Sequence, residues 1–360
     1  MRAILIIDDK TDEREDLAAR LEDTAGSARV VLFTGAESLE AGHSFERHIS
    51  DWIDEIEDGI SVALIACDKE LGAYSELPGL SATPVSAVAL EKGIPFCVYS
   101  RQAGDDAQEF ARFKRLRMWD SEEITLEGLD PSDWAPQVKS LFLGFEALRV
   151  GYEALGEQRG TPPSALAEVL GRRDAESRLA LYASGEQAFL KEVFTFYDPD
   201  EPNVDALYER MPRILGKWLF LSILRFPGIL VNKVAAASYL NVDPAALSQK
   251  DVQARFSDAR YQGPFHENEL GPWWWRDGLD DLMDQAGTKD GQEYLLKQGV
   301  RVGECRDPVA DEPAGFYCML TRTPVSRENS RGDISWFPSG ADLARIRKDK
   351  FEEITALIGV

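Results

Sequence analysis

Short apolar runs alternate with amphipathic stretches over the first hundred residues. Residues 2–7 form a short, mainly apolar run that stops abruptly at Asp8-Asp9, the pattern of a buried parallel strand. Residues 12–22 open on Asp12-Glu13-Arg14-Glu15 and carry Leu17, Ala18 and Leu21. That is an amphipathic helix with acidic residues at its positive end. Arg29 to Phe33 reads as a second strand, and residues 44–57 place Phe45, Ile49, Trp52, Ile53 and Ile56 at helical spacing. Val62 to Cys67 is a third strand ending at Asp68. Pro84 to Glu91 is helical, Pro95 to Tyr99 is a fourth strand ending at Ser100, and residues 105–116 are helical again. This alternation predicts an α/β fold with a doubly wound parallel sheet. In such sheets ligands sit at the carboxyl ends of the strands.

Beyond residue 130 the period changes. Trp134, Leu141, Phe145, Leu148, Tyr152 and Leu155 are spaced 7, 4, 3, 4 and 3 apart. One long helix follows, either a connector that carries a signal or dimerises, or a helix facing a core. Gly160-Thr161-Pro162-Pro163-Ser164 is a break. Further helical stretches fill 164–196, a loop covers 197–203, and Ile214 to Leu224 reads as a buried helix ended by Phe226-Pro227-Gly228. Asn232 and the pair Asp243-Pro244 are capping signals for two more helices, 232–240 and 244–256. Trp273-Trp274-Trp275 reads as core or an interdomain seam, because its flanks are acidic. The tail reads as α+β, with strands at 316–320 and 334–337 and a helix over 342–358. The expected organisation is a receiver/flavodoxin-like sheet domain (1–130), a connector helix (131–160), a mainly helical domain (161–265) and a small α+β C-terminal region (266–360).

Composition narrows the class. With 360 residues, 44% apolar and 29% charged, the chain suits a globular protein of two or three domains. No apolar run approaches the roughly 18 residues of a membrane span, and the first run is too short for a signal peptide. Four scattered cysteines make no disulfide framework, so a cytoplasmic protein with reduced thiols and no membrane association is expected. The net charge of −23 repels polyanions overall. Residues 210–266 run against it. They hold eight basic residues (Arg210, Arg213, Lys217, Arg225, Lys233, Lys250, Arg255, Arg260) and three acidic ones (Asp243, Asp251, Asp258), a net of +5.

The strand ends carry the candidate chemistry. If strands one and three are neighbours, Asp8, Asp9 and Asp68 cluster, and three carboxylates need a hard cation. Mg²⁺ suits them, since it takes oxygen ligands and keeps several waters. A carboxylate beside Mg²⁺ can attack a phosphoryl group, and a hydroxyl at Ser100 could then bond the phosphoryl oxygen and move a loop. Ile6-Ile7-Asp8-Asp9, Leu64-Ile65-Ala66-Cys67-Asp68 and Val98-Tyr99-Ser100 resemble the receiver domain of bacterial response regulators over residues 1–125. The resemblance implies Asp8 and Asp9 as metal-binding acids, Asp68 as phosphoacceptor and Ser100 as switch. It also implies a histidine kinase or other signalling protein as partner. The 32-residue step from Asp68 to Ser100 fits that family. The 59-residue step from Asp9 to Asp68 is longer than usual, and residues 118–126 hold no lysine where receivers end strand five with one. Lys114 and Arg115 come too early to serve. Two readings stay open: a phosphorylated receiver, and a pseudo-receiver that docks partner proteins. A phosphohydrolase built on Asp8 is a weaker third, because Lys10 stands where an Asp-x-Asp signature needs its second acid.

The segment 232–256 resembles a helix–turn–helix. Its second helix would present Ser248, Gln249, Lys250, Gln253 and Arg255 to duplex DNA through 232–260, with transcriptional control as output. The alternative is a structural or protein-binding helical pair. A homodimer is a further expectation.

Overall fold

The computed structural model describes residues 1–24, 28–34, 44–56, 59–72, 80–100, 112–113, 124–156, 160–183, 193, 204–268 and 270–358. The chain divides into two compact units, each discontinuous in sequence. The first comprises residues 1–107, 121–156 and 191–217, and the second comprises 108–120, 157–190 and 218–360.

The first unit is built on a five-stranded, all-parallel sheet in the order β2-β1-β3-β4-β5. Its elements in chain order are β1 (Arg2–Ile7), α1 (Thr11–Thr24), β2 (Arg29–Leu32), α2 (Phe45–Ile56), β3 (Ser61–Asp68), α3 (Thr83–Glu91), β4 (Phe96–Tyr99), β5 (Ile124–Thr125) and α4 (Pro131–Ala154). The strands are apolar on both sides because helices cover both faces. Leu5, Ile7, Ile65 and Cys67 join Phe45, Ile49 and Ile53 of α2 and Val85, Val88 and Ala89 of α3 in one core. The alternate residues Ile4, Ile6, Leu64 and Ala66 are equally buried, on the face where α1 and α4 pack together and α4 lies against β3. This is a doubly wound α/β arrangement, as the alternation predicts. The helix expected at 105–116 falls mostly outside the described residues.

The long helix is α4, and its heptad-like residues Trp134, Leu141, Phe145, Leu148 and Tyr152 are all buried. It packs against the sheet as part of the first unit rather than standing free as a connector. Asp130 caps it by accepting from the Ser132 amide at 2.8 Å, and Arg2 of β1 clamps Glu146 at 2.8 Å.

The second unit mixes short helices with two small sheets. β6 (Leu230–Asn232) pairs antiparallel with β7 (Trp273–Trp275), and all three tryptophans are buried, so the aromatic run is core. β8 (Phe316–Cys318), β9 (Pro324–Val325), β10 (Ser330–Arg331) and β11 (Ala344–Arg347) form a mixed sheet in the order β10-β11-β8-β9. Two expectations for this region are corrected. Residues 334–337 form a turn closed by the Phe337 amide on the Ile334 carbonyl at 2.9 Å, not a strand. Their aromatic rings serve packing instead, Trp336 against Phe113 and Phe337 against Phe226. The helix read over 342–358 begins only at Lys348, because Ala344–Arg347 is drawn into the sheet beside β8.

The helix pair also differs from expectation. Lys233–Leu240 forms with the Asn232 side chain accepting from the Val234 and Ala235 amides, and Asp243 caps the next helix as predicted. That next helix stops at Leu247, and a separate one runs Lys250–Ala254. The Ser248 hydroxyl turns back onto the Pro244 carbonyl at 2.8 Å, and Gln249 takes an extended backbone. The break lets Leu247, Val252 and Phe256 all reach the interior. All four cysteines are free and buried. Among the described residues, no helix is long and apolar enough to cross a membrane.

Candidate metal centre

The site forms where the order of the strands reverses, between β1 and β3. β1 and β3 are neighbours with Ile7 opposite Cys67, so the next residues, Asp8 and Asp68, leave the sheet side by side. Each of Asp8, Asp9 and Asp68 offers a carboxylate oxygen within 4.8 Å of the other two. The order β2-β1-β3 makes this the topological switch point, the crevice in which open α/β sheets bind ligands.

Burial makes the cluster costly when it is empty of cations. Asp8 is 1% exposed and Asp68 6%. Asp8 is held by two donors, the Lys10 amide at 2.8 Å to Oδ1 and the Tyr99 hydroxyl at 2.9 Å to Oδ2. Burial still pushes its carboxyl above the ordinary range. Glu13 and Asp9 add to the rise, against the two hydrogen bonds. Asp68 is raised to about 6, by burial first and by the charge of Asp8 second. Its Oδ1 accepts a long contact from the Glu70 amide at 3.5 Å. Its buried Oδ2 has no hydrogen-bond donor among the described residues. The Lys10 ammonium lies 3.8 Å from that oxygen and 3.7 Å from Glu13 Oε1.

An acceptor-only oxygen buried without a donor is the property a hard cation satisfies. The three carboxylates therefore fit Mg²⁺ by donor chemistry and by charge. Asp8, Asp9 and Asp68 are the residues that would hold it.

Ser100 follows β4 directly and is half-buried. Asp68 is in register with Tyr99, which places Ser100 one step past the carboxylate on the adjoining strand. The region expected to hold a lysine after strand five lies mostly outside the described residues. Of it, β5 comprises Ile124 and Thr125.

Sequence reasoning missed two members of this site. Tyr99 was legible only as a strand end, yet its ring reaches across β3 to Asp8 and stacks on Trp134 of α4, centroids 4.6 Å apart. Burial, and then the Asp8 charge, push its hydroxyl well above the ordinary value, so it remains a donor. Lys10 was legible only as the residue that breaks an Asp-x-Asp signature. Its place in Asp8-Asp9-Lys10, on the turn leaving a buried strand, was the available signal.

The five residues expected to read DNA belong to the second unit. Ser248, Gln249, Lys250 and Arg255 are exposed, while Gln253 is half-buried and accepts from Arg260 at 3.4 Å. Ser248 and Gln249 lie in the break between two short helices, Lys250 and Gln253 lie in the second helix and Arg255 follows its end, so they do not share one recognition helix. Comparison with known protein families, curated proteins and solved structures returns no match for this chain.

Proposed function

We propose that the first unit is a receiver-like signalling module. It binds Mg²⁺ at Asp8, Asp9 and Asp68 and accepts a phosphoryl group on Asp68 from a histidine kinase or another phosphodonor. The observation that carries this reading is the convergence of three carboxylates, two of them buried, at the switch point of a parallel sheet. Bound Mg²⁺ would offset the charge shared by the attacking carboxylate and the phosphoryl oxygens.

The protein's own residues supply the rest. Asp68 Oδ2, without a hydrogen-bond donor among the described residues, is the nucleophile: a bond forms from it to phosphorus as the bond to the donor's leaving group breaks. Asp8 is fixed by Tyr99 and by the Lys10 amide, so its carboxylate keeps one orientation. Ser100, on the neighbouring strand end, would be the hydroxyl that bonds the new phosphoryl oxygens. Tyr99, in contact with both Asp8 and Trp134, links a change of charge at the site to α4.

The second unit would be the output. The division of residues 244–256 into two short helices gives no support to groove reading by Ser248, Gln249, Lys250, Gln253 and Arg255, so the proposal carries no DNA-binding role. Docking of a partner protein is the output it favours.

Intact mass after incubation with a small acyl phosphate and Mg²⁺ tests the reading. The expected result is a gain of one phosphoryl group in the native chain and none in Asp68→Asn. An unchanged native mass at every dose would leave a pseudo-receiver that serves only as a docking module.

A further inference from the structure

We propose that Lys10 is the ammonium that receives the phosphoryl oxygens at Asp68, and so a catalytic residue of the transfer. This rests on the phosphoacceptor reading above and adds to it a cation that offsets part of the remaining charge.

The Lys10 amide donates to Asp8 Oδ1 at 2.8 Å, which fixes the Lys10 backbone at the rim of the acidic hollow. Its side chain is half exposed, and its Nζ stands 3.8 Å from Asp68 Oδ2 and 3.7 Å from Glu13 Oε1. Both separations exceed a hydrogen bond, so the ammonium faces Asp68 without being spent on it. Asp68 itself is 6% exposed, and the oxygen facing Lys10 has no hydrogen-bond donor among the described residues.

The chemistry then demands a mobile cation. As Asp68 Oδ2 bonds to phosphorus, the leaving group departs with its electron pair and takes a proton from solvent. A singly charged carboxylate becomes an acyl phosphate carrying two negative charges, beside Asp8 and Asp9. A divalent ion held by Asp8, Asp9 and Asp68 would offset two of these charges and leave an excess. An ammonium on a flexible four-carbon stem, already within 4 Å of the reacting oxygen, can move onto the incoming phosphoryl oxygens without any backbone shift.

The test compares the full-length native chain with Lys10→Ala, Lys10→Gln and Lys10→Arg. Two quantities are read: the rate of phosphoryl gain from a small acyl phosphate, by intact mass, and the Mg²⁺ dissociation constant, by calorimetry. We expect Lys10→Ala and Lys10→Gln to gain the phosphoryl group about ten- to a hundredfold more slowly. Their Mg²⁺ affinity should be equal to or tighter than native, since a competing cation has gone, and Lys10→Arg should recover part of the rate. Native rates in both neutral variants would overturn the inference and leave Asp68 as acceptor. A slower rate matched by a proportionate loss of Mg²⁺ affinity would overturn it too. Failure of the native chain to gain mass would remove the phosphoacceptor reading, and the inference with it.

Discussion

Replacing Asp68 with Asn should stabilise the first unit when no divalent ion is present, although it alters a buried strand end. In the folded protein the Asp68 carboxyl is raised from 3.8 to about 6, by burial and then by Asp8. The sign follows from linkage. Between those two pH values the folded state keeps a proton that the unfolded chain has released. Stability from this residue is therefore intact at low pH and lost as pH rises through about 6. At pH 8 the ionised form is disfavoured by about 3 kcal/mol. Asn at this position carries no charge, and its amide can donate to Asp8. The expected gain in EDTA at pH 8 is about 1–3 kcal/mol, or a Tm higher by roughly 3–10 °C for a domain of this size. At pH 4 the advantage should vanish, because the native carboxyl is then protonated. Saturating Mg²⁺ should reverse the order, since only the native cluster gains a cation. Thermal unfolding by circular dichroism at pH 4 and pH 8, with EDTA or Mg²⁺, reads all of these. An Asp68→Asn variant no more stable than native at pH 8 in EDTA would refute the reasoning that this cluster is held together against its own charge.

Other substitutions probe the surrounding structure. Tyr99→Phe removes the donor to Asp8 Oδ2 and should cost about 1.5–3 kcal/mol, read as a lower urea midpoint. Gly216→Ala drives a methyl group into the Phe145 ring and should destabilise the first unit by about 1–3 kcal/mol, seen as a lower urea midpoint at an unchanged slope. In the second unit Asp307 is fully buried and accepts from Arg347 at 2.8 Å. Burial alone would raise its carboxyl, but Arg347 and the Val309 and Ser326 amides outweigh it and hold the carboxyl below the ordinary value. Its stabilisation is present above the unfolded pKa and lost as pH falls through the folded one. Asp307→Asn should cost about 3–5 kcal/mol at pH 7 and much less in acid, by denaturant titration at both pH values.

The sheet and the acidic hollow were legible because they rest on local signals. Apolar runs that stop at Asp8, Asp68 and Ser100 state both the strand and its end, and burial on both faces leaves no amphipathic ambiguity. Trp134 to Tyr152 announced a long helix, but spacing alone cannot say what a stripe packs against, and α4 proved to cover the sheet. Tyr99 and Lys10 joined the site through strand order and turn geometry, which no single segment encodes. The second unit was harder for a physical reason. Its strands are two to four residues long, too short to show a period of two. Ala344–Arg347 therefore read as the start of the helix that follows. In residues 244–256 the good helix formers outvoted a Ser248-Gln249 break set by where Leu247, Val252 and Phe256 must point.

The most direct test of the cation-binding hollow is calorimetric titration of Mg²⁺ into the full-length chain, beside a variant carrying Asp8→Asn and Asp68→Asn. One saturable site in the native protein, absent from the variant, is the predicted result. Equal binding by both proteins, or none by the native one, would contradict the assignment of Asp8, Asp9 and Asp68 to a common metal centre.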